Sequence, residues 1–441
     1  MMSSPEPIWP QLHQMVQRAE TIRRYGRVSQ VIGLVIEGIG PVVPIGDMCL
    51  INIESKGVTV AAETVGFRDH KILLMPLGEV KGVEPGCKII PLGTPAQAPV
   101  GQNLLGRVLN GMGNPVDEKG PMEVEGEAPL YAQPSNPVLR KRITQPIDVG
   151  VKAINALLTI GKGQRMTIFS GSGVGKSTLL GMMARHTNAE VSVIALIGER
   201  GREVREFIEK DLGAEGLSRS TVVVATSDQH PLLRMRGAYL ATAIAEYFRD
   251  QGKDVLFMMD SVTRFAMASR EVGLAIGEPP TAKGYTPGVF SQLPKLLERA
   301  GTTSGQGSIT GIYTVLVEGD DFNDPIADAI RSIADGHIVL TRELANQGHY
   351  PAIDVLGSIS RVMPDIVKME QMEARNKLIS VMATYRKSED LINIGAYVVG
   401  SNPQIDYAIK KNPQIISFLR QSVEEKVNHS DSFAGLKSLF S

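Results

Sequence analysis

The chain is poor in cysteine, in tryptophan and in net charge. Its 441 residues include two cysteines and a single tryptophan, and 46 Lys plus Arg nearly balance 47 Asp plus Glu, for a formal net charge of −1 at pH 7. Cys49 and Cys87 lack metal-ligand spacing and read as reduced thiols of a cytosolic protein, not as a disulfide framework. The charge balance provides no global basic field of the kind that gathers nucleic acid. No apolar run approaches the roughly 20 residues a membrane-spanning helix needs. The stretch MMSSPEPIWPQLHQ has no basic segment followed by an apolar core, so no secretory signal is expected. Repeats and low-complexity tracts are absent as well. What is present, 43% hydrophobic and 21% charged residues, is ordinary for a globular protein, and the length exceeds what one core usually serves.

Composition and periodicity divide the chain into four regions. Leu12, Met15, Val16, Ala19 and Ile22 recur at helical spacing and predict an amphipathic helix within residues 1–24. Its apolar stripe suits packing on its own domain as well as docking to a partner or a membrane surface. Residues 25–93 hold short Val- and Ile-rich runs (28–36, 48–53, 58–65, 72–75, 88–91) broken by Gly, Pro and Asp, which predicts a small β-barrel or sandwich. Residues 94–364 form an α/β domain. Its first part, 93–137, reads as a Gly- and Pro-rich connection packed on the rest of that domain. Beyond residue 137, strands at 166–169, 191–197, 221–225, 255–259, 310–317 and 337–340 alternate with helices such as 236–250 and 262–273, the pattern of a mostly parallel sheet. Residues 365–441 read as a small helical domain: 367–387 has no Gly or Pro, and 406–426 resumes the pattern with a break at Asn412-Pro413.

The chemistry centres on Ser170-Gly171-Ser172-Gly173-Val174-Gly175-Lys176-Ser177-Thr178, between an apolar strand and a helix-favouring run. Strand, glycine loop, Lys-Ser and helix make a phosphate-binding loop. Glycines let backbone N–H groups turn inward onto phosphate oxygens, and the helix N-terminus adds partial positive charge. Lys176 is expected to reach the β- and γ-phosphates and Ser177 to ligate Mg²⁺. Ser170 stands where the strict pattern has glycine.

In parallel sheets ligands sit at the carboxyl ends of strands. After the strand 191–197 comes Gly198-Glu199-Arg200-Gly201-Arg202-Glu203. Glu199 is a candidate to orient and polarise an attacking water, and Glu203 to face Mg²⁺-bound water, although a charged surface turn has the same composition. After the strand 255–259, Asp260 matches the acid that holds Mg²⁺ in phosphate-loop ATPases, usually through water. Arg264 fits a structural ion pair equally well.

Together with Met259-Asp260-Ser261-Val262-Thr263-Arg264-Phe265, the stretches 279–287 (PPTAKGYTP) and 350–354 (YPAID) resemble the catalytic subunits of rotary ATPases. The stretch 288–301 (GVFSQLPKLLERAG) and the small residue at 170 resemble, more narrowly, the type III protein-export ATPases. Ile394-Gly395-Ala396-Tyr397 and Gly400-Ser401-Asn402-Pro403 resemble flagellar members more than injectisome members. Lys283 and Gly288 depart from many relatives, outside the phosphate chemistry. The resemblance implies an ATPase powering flagellar protein export, with Glu199 positioning water, Asp260 coordinating magnesium, Tyr350 stacking on adenine, and Arg361 acting as an arginine finger on a neighbouring subunit. It implies a homohexamer in the cytoplasm at the inner face of the cytoplasmic membrane. The implied partners are a regulatory or stator protein at the N-terminal helix, a central stalk, an export gate, and export substrates with their chaperones; no nucleic acid is expected. An injectisome ATPase, a non-catalytic nucleotide-binding subunit of a rotary ATPase and an RNA-translocating hexamer are the competing readings. The presence of Glu199 argues against the second, and the lack of a basic, aromatic-studded patch in 27–92 against the third.

Overall fold

The structure, a computed structural model, describes residues 24–317 and 324–440 together with Trp9. The amphipathic helix expected in residues 1–24 lies almost wholly outside the described residues. The chain divides into two compact units, Met1–Ala96 and Gln97–Ser441.

In the first unit, β1 (Gly26–Ile32), β2 (Val35–Ile39), β3 (Asp47–Ile53), β4 (Val58–Arg68), β5 (Lys71–Pro76) and β6 (Lys88–Pro95) close into a barrel in the order β1-β2-β5-β4-β3-β6. Alternation decides which side chains fill it: along β3, Cys49, Ile51 and Ile53 point inward. Both cysteines are free, buried in this core. The run 28–36, expected as one strand, is two. Ile32 pairs with Val35 across a tight turn, and Gly33 takes φ 56° there, a conformation hairpin turns require and glycine adopts without strain.

The second unit is built on one large sheet. Its strands are β7 (Val108–Asn110), β8 (Arg165–Ser170), β9 (Val191–Ile197), β10 (Ser220–Ala225), β11 (Asp254–Asp260), β12 (Ser308–Leu316), β13 (Gly336–Leu340) and β14 (Ile353–Ser360). They lie in the order β14-β13-β8-β12-β11-β9-β10-β7, with Gly301–Thr302 paired beside β12. All pairings along that order are parallel except β13 with β14. β9 and β10 are buried at every residue, as strands covered on both faces must be. The segment 93–137 is more than a connection. It supplies β7, paired through Val108–Val222 and Leu109–Val223, and a ribbon of Gln97–Val100 with Gly126–Pro129. Strands of three or four residues are too short to register as a period in the sequence.

Helices α1 (Lys176–His186), α2 (Pro231–Asp250), α3 (Val262–Ile276), α4 (Pro287–Leu297) and α5 (Pro325–Ile333) follow strands or loops of the sheet. α2 begins earlier than expected, because His230 caps it by accepting from Leu232 N and Pro231 occupies the first turn. The C-terminal helices are α6 (Met369–Asn393), α7 (Pro403–Leu419) and α8 (His429–Ser438). The break expected at Asn412-Pro413 does not occur. α7 runs through Pro413, with Ile415, Phe418 and Leu419 buried beyond it, so packing outweighs the lost hydrogen bond. These helices share one apolar core with the sheet, in which Leu378, Val381 and Ile415 join Ile338, Leu340 and Ile353.

One ionic group is sealed inside this unit. Arg299, 1% exposed, donates to both oxygens of Glu246 at 3.0 and 2.5 Å and to Leu130 O at 2.7 Å. Removing one partner of such a pair leaves the other charge buried and costs about 3–5 kcal/mol. Arg299→Met is therefore expected to unfold at clearly lower denaturant concentration than the parent, and an unchanged midpoint would show that Arg249, 4.0 Å from Glu246, or solvent compensates the carboxylate.

Candidate functional site

Register brings the functional residues to one edge. Ser170 pairs with Leu316 and Leu340, and Leu196 with Asp260. The carboxyl ends of β8, β9, β11, β12 and β13 are therefore neighbours, and the loops leaving them share one rim.

The loop 171–175 leaves β8 and enters α1 at Lys176. Gly173 and Gly175 have φ of 78° and 85°, which few side-chain-bearing residues tolerate. Ser172 and Gly173 face solvent while Val174 is buried and anchors the loop. A Cβ on Gly175 would sit 3.5 Å from ring carbons of Tyr350, which is half exposed. Tyr350 thus lies against the end of the glycine loop. Its carbonyl accepts from Gln421 N at 3.0 Å, and Gln421 also donates to Gly150 O at 2.8 Å, so the C-terminal region braces the ring's backbone. Thr178 bonds the Asp211 carboxyl behind α1. Ser170 is buried, and its hydroxyl has no hydrogen-bond partner.

Lys176 is the centre of charge. Its ammonium bonds Asp260 Oδ1 closely and lies 3.6 Å from Glu199 Oε1. Thr314 Oγ1, from β12, donates to the same Asp260 oxygen at 2.7 Å. Burial alone would lower the Lys176 pKa, but the Asp260 and Glu199 carboxylates outweigh it and hold the ammonium charged. Burial, together with the Asp260 and Glu203 carboxyls, pushes Glu199 up to about 7 against the downward pull of Lys176. Glu199 Oε1 is buried without a hydrogen-bond partner.

Glu203 stands further out. It shares a hydrogen bond with Glu199, which lowers its own pKa, and accepts from Arg200 N at 3.3 Å. Arg264 lies across Gly198, where an added Cβ would meet its side chain at 2.6 Å. Its guanidinium reaches Met267 Sδ at 3.7 Å, its Nε is buried without a partner, and no acidic partner holds it among the described residues. Among the described residues, the structural ion pair that the sequence allowed for Arg264 is not formed. Thr314 was not singled out in the sequence. Its one signal was a polar residue within an apolar strand, and only the pairing of β11 with β12 brings it to Asp260.

Arg361 is elsewhere. Ser360 pairs with Gly336 at the start of β13, so Arg361 emerges at the amino edge of the sheet. The phosphate loop is at the opposite edge, a strand's length of roughly 17 Å away. The rim therefore gathers Lys176, Ser177, Glu199, Asp260 and Tyr350, and leaves Arg361 out.

Oxygen donors dominate the rim. Ser177, Asp260 and Glu199 offer hard oxygen ligands of the kind Mg²⁺ takes. Among the described residues, no group of three or more His, Cys, Asp or Glu is gathered to cage a metal.

Comparison with known proteins places these features. The ATP synthase alpha/beta family, nucleotide-binding domain, matches residues 150–360. The beta-barrel domain of the same family matches 28–93, and the T3SS EscN ATPase C-terminal domain matches 367–438. The chain is 55% identical over 427 residues to the flagellum-specific ATP synthase of Bacillus subtilis, covering 96% of this chain and 97% of that one. It superposes with TM-score 0.89 and 47% identity on the assembled ATPase EscN of the enteropathogenic E. coli type III secretion system, covering 94% and 100% of the two chains. EscN in complex with its central stalk EscO matches with TM-score 0.87 and 46% identity, at the same coverage.

The raised Glu199 has a measurable sign. A carboxyl whose folded pKa lies above its ordinary value contributes stability below that ordinary value and loses it as pH rises through the folded one, here about 7. Glu199→Gln keeps the uncharged form at every pH. Without nucleotide, its unfolding temperature is expected to match the parent near pH 5 and to exceed it near pH 8. A difference between the two proteins that does not change over that range would reject a raised Glu199.

Proposed function

The chain belongs to the ATP synthase alpha/beta family, in the branch of the flagellum-specific and type III secretion ATPases, and on that premise we propose how its rim hydrolyses ATP. It is an ATPase of flagellar type III export; injectisome ATPases are its relatives. The observation that carries the mechanism is the convergence of Lys176, Asp260 and Glu199 at one rim.

Backbone N–H groups of 171–177 and the N-terminus of α1 cradle the phosphates. Lys176 exchanges Asp260 for β- and γ-phosphate oxygens, which releases the Asp260 carboxylate. Ser177 and Asp260, with Glu203 further out, would hold Mg²⁺, which would supply charge neutralisation on the phosphates. Thr314 keeps the Asp260 carboxylate oriented through its hydrogen bond. Glu199 accepts a hydrogen bond from the attacking water and aligns it. Its raised pKa places it near the pH at which a general base both carries its charge and takes a proton readily. Tyr350 stacks on adenine; its half-exposed ring beside Gly175 supports that position. Arg264, without an acidic partner among the described residues, provides a second cation facing Gly198 and the phosphate side.

Arg361 completes the site of a neighbour. Its place on the opposite edge keeps it from its own phosphate loop, so a working site takes two subunits, and a closed homohexameric ring satisfies every site. EscN assembles and binds a central stalk, which supports a ring and a stalk protein here. Residues 25–93 form the barrel, 94–364 the motor and 365–441 the stalk- and substrate-facing helices. The helix of residues 1–24 docks a stator protein or the export gate, placing the cytoplasmic ring at the inner face of the membrane, where export substrates and chaperones arrive. Among the described residues no helix is long and apolar enough to cross a membrane itself.

Glu199→Gln is expected to keep ATP affinity and to lose turnover by roughly 10²–10⁴-fold. Turnover and nucleotide binding measured on the same preparation check this, and substantial hydrolysis removes Glu199 from its role. Arg361→Ala is expected to lose about 10³-fold or more, and to regain part of it in rings mixed with Lys176→Ala subunits.

A further inference from the structure

We propose that Asp335 is the positioning residue that sets Arg361 for the neighbouring nucleotide, from an anchor on the strand that carries the subunit's own phosphate loop. The inference rests on reading Arg361 as a finger acting in trans.

Arg361 is held at both ends by one short turn. Its backbone N–H donates to Asp335 O at 3.0 Å, and its Nη1 donates to Ala334 O at 3.1 Å. With one nitrogen so engaged, the guanidinium keeps further donors for a phosphoryl group. The turn in turn hangs on Arg165, the first residue of β8. The Asp335 carboxylate accepts from the Arg165 backbone N at 3.0 Å and from its guanidinium at 3.1 and 3.2 Å, and Asp335 N donates to Arg165 O at 2.8 Å. Gln164, fully buried, donates from one amide nitrogen to Asp335 O and to Ser360 Oγ, both at 3.1 Å. The residue before the finger is therefore tied to the same strand. Arg165 is itself paired with Glu298, which also holds Arg140 at 3.2 Å.

A carboxylate at 335 is what makes the turn rigid. It matches the planar fork of Arg165, a bidentate geometry that fixes direction as well as distance. Without it the turn keeps its backbone bonds and loses its orientation, and the two carbonyls that aim Arg361 are free to shift. The other end of β8 is Ser170, where the phosphate loop starts. Each subunit thus offers its neighbour a finger mounted on the strand that ends at its own nucleotide.

A shift of about 1 Å at a catalytic group costs on the order of 10²-fold, less than loss of the finger itself. Asp335→Ala is expected to lower kcat by roughly 10- to 100-fold with KM nearly unchanged. Mixed rings localise the defect. Lys176→Ala subunits, with no working site but an intact finger, rescue Arg361→Ala subunits; absence of that rescue overturns the trans finger and this proposal with it. Lys176→Ala/Asp335→Ala donors are expected to rescue at least about tenfold less. Equal rescue by the two donors overturns the role of Asp335 and leaves the finger standing. As acceptors, Asp335→Ala subunits are expected to be rescued by Lys176→Ala donors as well as Arg361→Ala subunits are. Failure there places the damage in the variant's own site and also overturns the proposal. Ring entry is read by mass for every mixture. Should alanine at 335 not enter rings, Arg165→Lys, which keeps the charge and loses the fork, carries the same donor comparison with the same two outcomes.

Discussion

A single buried ammonium organises the catalytic rim. Lys176 sits between the Asp260 carboxylate, at the end of β11, and that of Glu199, in the loop after β9, and its charge makes their burial tolerable. Remove it and Asp260 and Glu199 face each other across a poorly hydrated gap, a repulsion the fold has no other described cation in contact to cancel. Glu199 is raised by burial and by its acidic neighbours.

The parallel sheet divides labour between its edges. Carboxyl ends carry the phosphate loop, Glu199 and Asp260; the amino edge carries Arg361 and the ion pairs around Arg165, Asp335 and Glu298. β8 runs from one to the other. Because a strand is stiff and hydrogen-bonded on both sides, it gives the two edges a common reference. The antiparallel edge strand β14 is what turns the chain back so that Arg361 arrives at the far side at all. The last strand's direction, a small departure from an all-parallel sheet, therefore decides at which edge of the sheet Arg361 stands.

Several polar residues hold the scaffold. Arg299, part of the stretch that marks the export branch, is sealed against Glu246. Gln421, in the loop beyond α7, bonds the backbone beside the phosphate-loop helix and that of Tyr350. The C-terminal helices thus touch the nucleotide side through a few polar bonds, although most of their burial is apolar.

The sequence alone determined the phosphate loop, the strand–helix alternation and the two acids at strand ends, because each is a local pattern: glycines before Lys-Ser, apolar runs of fixed length, a carboxylate where the run stops. It also carried the barrel strands, save where Gly33 cut one in two. It could not show the short strand β7, the continuity of α7 through Pro413, Thr314 beside Asp260, or Arg264 lying across Gly198. Each of these depends on residues far apart in the chain meeting through strand pairing or core packing, and no period records that. Tyr350 and Arg361 were reached by resemblance only. Tertiary structure decided their difference: register laid Tyr350 against the glycine loop and carried Arg361 to the opposite edge, since antiparallel pairing reverses which end of a strand its last residue shares.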